Sequence, residues 1–178
     1  MMVLKSNQKG VALFISLVLL LVLTIIGVSS VQTTSLEERM ARNAHDGALA
    51  FQAAESALRQ AEEFLETAAP VAASFTDTGS NSLWTVAPFG DTPRWANPST
   101  WSGGSSIEVG AGIVGVSEQP RYIVEFVSSI ERVQNPHDLS NQNVETYNIF
   151  RITALGVGGS DNARVLLQSS FGMDVTGT

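Results

Sequence analysis

With 178 residues, a net charge of −7 and no cysteine, the chain is long enough for one ordinary domain plus a further segment, and no disulfide holds that domain together. Seventeen Asp and Glu against ten Lys and Arg argue against nucleic-acid binding, which needs basic patches.

Residues 1–10, MMVLKSNQKG, carry Lys5 and Lys9 and no acid. Residues 11–31 are an uncharged run, VALFISLVLLLVLTIIGVSSV, matching the ~20 apolar residues that cross a bilayer. The first acids beyond it are Glu37 and Glu38. The positive-inside rule therefore places residues 1–10 in the cytoplasm and the bulk of the chain outside. A secretory signal would have an apolar core of only ~7–15 residues before a small-x-small cleavage site. Val28-Ser29-Ser30 offers such a site, but the run before it is too long, and the helical pattern continues past it. With no Pro before Pro70, the apolar run and the segment after it predict one helix about 90 Å long at 1.5 Å per residue.

Residues 32–69 form the amphipathic half of that helix. Leu36, Met40, Phe51, Leu58 and Leu65, with Ala44, Gly47, Ala54 and Ala61 between them, recur at intervals of three and four and predict the face that packs on the core. Ala50, Ala57 and Phe64 widen it. Glu38, Arg42, Asp46, Glu55, Arg59 and Glu62 fall on the opposite, solvated face. Glu38–Arg42 and Glu55–Arg59 are i,i+4 pairs worth about 0.2–0.5 kcal/mol each.

In residues 70–106 Pro, Gly, Ser, Thr and Asn dominate, with Phe75, Trp84, Phe89, Trp95 and Trp101 spaced among them. Disordered segments are poor in aromatics, so this long connection is ordered against something. The three Trp either pin it to the domain or present a partner-binding surface. Residues 107–178 read as an antiparallel sheet. Residues 121–130 alternate, with Tyr122, Val124, Phe126 and Ile130 on one face. Residues 134–143 are a turn-rich loop, and residues 144–155 place Phe150, Ile152 and Ala154 inward. Residues 164–171 close a hairpin around Gly158-Gly159. A short strand near 107–109 or 113–116 completes four strands. Helix, connection and sheet in that order give an α+β class, in which residues 32–178 form a single globular domain.

Catalytic constellations are poor. His45 and His137 each precede an Asp, which is a weak metal signal without further ligands. GVGGSDNA opens no helix and reads as a turn rather than a phosphate loop. Neither Asp138, Asn141 and Asn143 nor Asp161 and Asn162 supply the 6–8 oxygens that calcium takes. We expect no enzyme activity, no metal and no cofactor.

The basic leader ending in Gly10, followed by Val11-Ala12-Leu13-Phe14 and a long apolar helix, resembles the leader of a type IV prepilin. The segment TTSLEERMARNAHDGALAFQAAESALRQAE is similar to the N-terminal region of the PilX group of minor pilins. The resemblance is dense over residues 10–62 and weaker around FRITALGVGG. It implies a type IV pilin-like fold, with the long helix packed on the sheet. It also implies removal of residues 1–10 by a prepilin peptidase/N-methyltransferase, which cuts after Gly10 and methylates Val11. Before assembly the chain would rest in the inner membrane with its C-terminal domain in the periplasm. It would then join other minor pilins, the major pilin, the inner-membrane assembly platform and a tip adhesin, priming a pilus for adhesion and twitching motility. Shaft pilins carry Glu at the fifth mature position, where this chain has Ile15, which implies a place at the tip. A type II secretion pseudopilin, or a membrane-anchored periplasmic binding module with an uncut stub, is the alternative.

Overall fold

The computed structural model describes residues 10–110, 112–133 and 144–175. Lys5, Lys9 and the turn-rich loop at 134–143, with His137, Asp138, Asn141 and Asn143, lie outside them. The chain divides into two units, residues 1–44 and 45–178. One helix, α1 (Val11–Ala68), contributes to both.

In the first unit, every described residue from Gly10 to Ala44 is exposed. The stretch is long and apolar enough to cross a membrane. Hydroxyls along it bond back onto the helix. Ser16 Oγ donates to the Leu13 carbonyl at 2.8 Å, Thr24 Oγ1 to Leu21 at 2.7 Å and Ser30 Oγ to Ile26 at 3.1 Å. Such bonds remove the cost of an unpaired hydroxyl in an apolar medium.

The second unit holds the remainder of α1 and a five-stranded sheet. The strands are β1 (Leu83–Thr85), β2 (Ile107–Glu108), β3 (Arg121–Val133), β4 (Val144–Val157) and β5 (Arg164–Asp174). Their order is β1-β3-β4-β5, with β2 also paired to β3. The long pairs β3–β4 and β4–β5 are antiparallel, as is β2–β3, but β1 runs parallel to β3. The sheet is therefore mixed, not purely antiparallel. The extra strand comes from residues 70–106, which also form short 3₁₀ turns rather than a plain loop. α1 ends where Ala69 enters the left-handed region (φ 40°) and its N–H bonds the Leu65 carbonyl at 3.0 Å, before Pro70.

The core lies between α1 and one face of the sheet. Ala57, Ala61 and Leu65 meet Tyr122, Val124, Phe150, Ile152 and Ala154, with Phe75, Leu83 and Val109 closing the ends. Phe75, Phe126 and Phe150 form an aromatic cluster with centroids 5.6–5.9 Å apart. A correction falls on large members of the expected stripe, since of the buried helix residues, Ala50, Ala53, Ala54, Ala57, Ala61 and Leu65, all but Ala53 belong to that stripe or widen it. Leu65 is in it and Leu58 packs against the core half-buried. Leu36, Met40 and Phe51 are 59%, 63% and 45% exposed. The sheet face is already filled with aromatic rings, so the helix must present small side chains to approach it. At Gly156 the approach is closest: a Cβ there would lie 2.1 Å from the Ala50 carbonyl oxygen and 2.9 Å from the Ala54 Cβ.

A second correction falls on β3. Its register with β4 slips between Phe126 and Ser128, so Val127 is the extra residue of a β-bulge, which reverses the facing of every residue after it. Ile130, expected inward with Tyr122, Val124 and Phe126, is 52% exposed. Ser129 takes the inward side and donates to Asn148 Oδ1 at 2.7 Å.

Candidate functional site

Gly10 sits in a turn immediately ahead of α1, exposed, with nothing within 4 Å of where a Cβ would be. The Phe14 N–H bonds its carbonyl at 3.3 Å, so Gly10 closes the first helical turn. Val11 begins the helix, and no acid lies in its first turn. Ile15 is 52% exposed on the apolar stretch. Among the large apolar residues of 11–31 none is buried. A helix that is apolar all round needs lipid or other helices around it.

Phe75 and Leu83 of the aromatic connection join the core under α1, while Trp84 and Trp95 lie on the opposite sheet face, with Glu125 and with Thr153 and Gln168. Trp84, on β1, is 7% exposed and donates its Nε1–H to the Ser105 carbonyl at 2.9 Å. Gly79 lies flat behind its ring at φ 70°, where any Cβ would fall 1.9 Å from the indole. The Arg94 guanidinium stands 5.3 Å from the same ring centroid, a cation–π contact, and its Nε donates to the Thr85 carbonyl at 3.2 Å. Trp101 Nε1–H bonds the Trp95 carbonyl at 2.9 Å, and Thr100 Oγ1 bonds the Arg94 carbonyl at 2.7 Å. Trp95 and Trp101 are half-buried. Trp84 is thus a pin, while Trp95 borders a shallow cavity of about 220 Å³ with Thr153, Leu166 and Gln168. Phe89 differs from the other aromatics. It stands fully exposed in a tight turn in which the Asp91 N–H bonds the Pro88 carbonyl at 3.1 Å and Gly90 has φ 94°.

Two acidic groups emerge that the sequence reading did not single out. Glu125 is buried beneath the connection, 1% exposed, with Oε2 3.6 Å from Arg151 Nη1 and without a hydrogen bond. Burial pushes its carboxyl above the ordinary value, against the pull of Arg151 and Arg94. The one sequence signal was an acid in the middle of YIVEFV, flanked by apolar residues on both sides. Asp46 was expected on the solvated face. Instead its carboxylate accepts from Ser160 N–H at 3.1 Å and from Ser160 Oγ, tying α1 to the β4–β5 turn. Those bonds, that of the hydroxyl first, hold its pKa below the usual value. Gly158 leaves room for this clasp, since a Cβ there would lie 2.4 Å from Asp46 Oδ1. Glu38–Arg42 and Glu55–Arg59 form ion pairs on exposed helix surface. Among the described residues, no group of three or more His, Asp or Glu could hold a metal ion.

Two family models match the chain. One, described as PilX N-terminal, covers residues 9–59. The other, described as type IV pilus assembly protein PilX C-term, covers residues 46–173. No curated protein and no solved structure matches it.

Proposed function

Because the chain belongs to the PilX family of type IV pilus assembly proteins, we propose that this minor pilin primes pilus assembly and stays at the tip of the fibre. The observation that carries the reading is the unbroken exposed apolar surface of 11–31 without a single carboxylate. In the inner membrane that surface faces lipid. In a bundle it faces other pilin helices, and packing between helices offsets extraction from the bilayer.

The leader is removed after Gly10 by the prepilin peptidase, which methylates Val11, and Lys5 and Lys9 hold residues 1–10 on the cytoplasmic side. The domain from residue 45 onward faces the periplasm. Ile15 offers no carboxylate to the amino terminus of a subunit above it, which favours a position with nothing above. The partners are the other minor pilins, the major pilin, the assembly platform and a tip adhesin, and the outcome is adhesion and twitching motility. The Trp95 side of the connection and the exposed Phe89 are surfaces through which such a complex could form.

Removal of the protein is expected to lower the number of pili while leaving the shafts that form intact. Labelled copies are expected at fibre ends. Abundant label along the shaft would overturn the tip assignment, and a native chain beginning at Met1 would overturn the processing. Ile15→Glu is the sharper test: if the missing charge confines the subunit to the tip, the variant enters the shaft.

A further inference from the structure

The two edges of the sheet are finished differently. On one side β1 is three residues long, and the backbone of Thr76 bonds its outer edge, through Thr76 N to Leu83 O at 3.2 Å and Thr85 N to Thr76 O at 2.9 Å. On the other side β5 is eleven residues long and, among the described residues, pairs only with β4. In an antiparallel ladder about half of such residues turn N–H and C=O away from the partner. Edge strands are ordinarily protected by Lys, Pro, bulges or a covering segment. Residues 165–173, VLLQSSFGM, contain no charge and no Pro, and the β4–β5 register is continuous from Tyr147↔Asp174 to Val157↔Arg164. A straight row of main-chain donors and acceptors is satisfied over its length by one kind of ligand, an extended backbone.

The side chains describe that ligand further. On the α1 side, Phe171 and Met173 lie half-buried against the core and would be covered by apolar residues at alternate positions of an added strand. On the other side Gln168, Ser170 and Gly172 are exposed and uncharged. At the middle of the strand Ser169 Oγ donates to Glu62 Oε1 at 3.4 Å, which sets a half-exposed carboxylate beside the edge. We propose that β5 takes up an extended segment of a different protein chain as an added strand, uncharged except for a Lys or Arg set against Glu62. A second copy of this chain fits poorly. Ser169 is the midpoint of Arg164–Asp174, so a twofold β5–β5 pairing would bring the two Glu62 carboxylates together across the axis, and like charges there repel. That the segment belongs to another pilus component rests on the function proposed above; the chemistry of the edge does not.

The test uses the full-length chain in detergent micelles and two blocked nine-residue peptides of alternating Val and Thr, one with a central Lys and one with a central Glu. Amide hydrogen exchange is followed over β5 and over β1. The Lys peptide is expected to slow exchange in β5 by at least about tenfold and to leave β1 unchanged. The Glu peptide should bind about tenfold more weakly, and Glu62→Gln should erase the difference between the two. The proposal is overturned if neither peptide protects β5, if the β5 amides are all slow in the free chain, or if sedimentation shows a dimer that β5 substitutions dissolve. Exchange within assembled pili separates the two readings. Slow β5 amides there agree with a pilus component as occupant. Fast ones, with the Lys peptide still binding the isolated chain, refute that occupant and leave the edge chemistry standing.

Discussion

Between residues 11 and 31, α1 leaves Leu13, Phe14, Leu17 and Leu20 more than half exposed, whereas between 45 and 68 it buries five alanines and Leu65 and turns Phe51 outward. Large side chains stand exposed where this chain offers nothing to pack against, and the fully buried ones are small apart from Leu65. The reason lies in the partner. The sheet supplies Tyr122, Phe150 and Phe75, so the helix that meets it needs closeness rather than volume, and a well-packed interface alternates large against small. The apolar half, long enough to cross a membrane, keeps its bulk.

The comparison breaks most severely at Gly156. Gly156→Val places a branched side chain where a Cβ alone would lie 2.1 Å from the Ala50 carbonyl oxygen. We expect a loss of about 3 kcal/mol or more, seen as the collapse of the thermal transition. Gly104→Ala, in open space, is the control that should melt like the parent. Next come Leu65→Ala and Phe51→Ala measured side by side. The buried leucine should cost roughly 2–5 kcal/mol and the half-exposed phenylalanine about 0.5 kcal/mol. The reverse order would return the core to the face that the spacing of large residues suggests.

Smaller effects sharpen the picture on the opposite face of the sheet. Glu125 has its carboxyl pushed up by burial, so ionisation costs the folded state. Its stabilising contribution is fully present when protonated, below the ordinary value of 4.5, and is lost as pH rises through the raised value. Glu125→Gln should therefore be neutral or stabilising at neutral pH, by up to about 1 kcal/mol, with the advantage vanishing in acid. Denaturant titrations at pH 7 and pH 4 check this; a gain that grows on acidification would contradict it. Asp46 runs the other way. Its depressed pKa means that the Ser160 clasp contributes above the ordinary value of 3.8 and is lost as pH falls through the lowered one, so Asp46→Asn should flatten the acid limb of the stability curve. The smallest effect belongs to the apolar half. Leu20→Ala in detergent should leave the melting of residues 45–178 unchanged within about 0.5 kcal/mol, while altering whatever the helix does in a bundle.

The apolar run, the single long helix, the three long strands and the turn at Gly158-Gly159 were legible because each repeats a period or breaks it with glycine. The face of α1 was legible in part. The spacing named Ala50, Ala54, Ala57, Ala61 and Leu65, which are buried, and missed only Ala53, but it carried Leu36, Met40 and Phe51 along with them, because a period does not show which large side chains the sheet has room for. β1 escaped notice because Leu83-Trp84-Thr85 is too short to show alternation inside a Pro- and Ser-rich stretch, and its parallel pairing with β3 is non-local. The outward turn of Ile130 depends on a bulge at Val127 that no residue type announces. Of the candidate site, the Gly10–Val11 junction was named through the resemblance to a prepilin leader and the three Trp from residue type. Glu125 and Asp46 could not, since whether a carboxylate is solvated or enclosed depends on segments far away in sequence.

The clasp between Asp46 and Ser160 closes a loop of 114 residues, and Gly156, the closest contact of α1, lies almost as far along the chain. The helix is made well before its docking site. During synthesis the back half of α1 waits undocked until the strands that it packs on have been made, and non-local contacts of this kind form slowly. An exposed apolar face is an aggregation hazard in that interval. A face made of Ala50, Ala53, Ala54, Ala57 and Ala61 presents far less sticky surface than leucines would, and alanine favours the helical state without tertiary support. The alanines that let the finished helix lie close to the sheet are also the ones best suited to an element that has to stand alone until the sheet arrives.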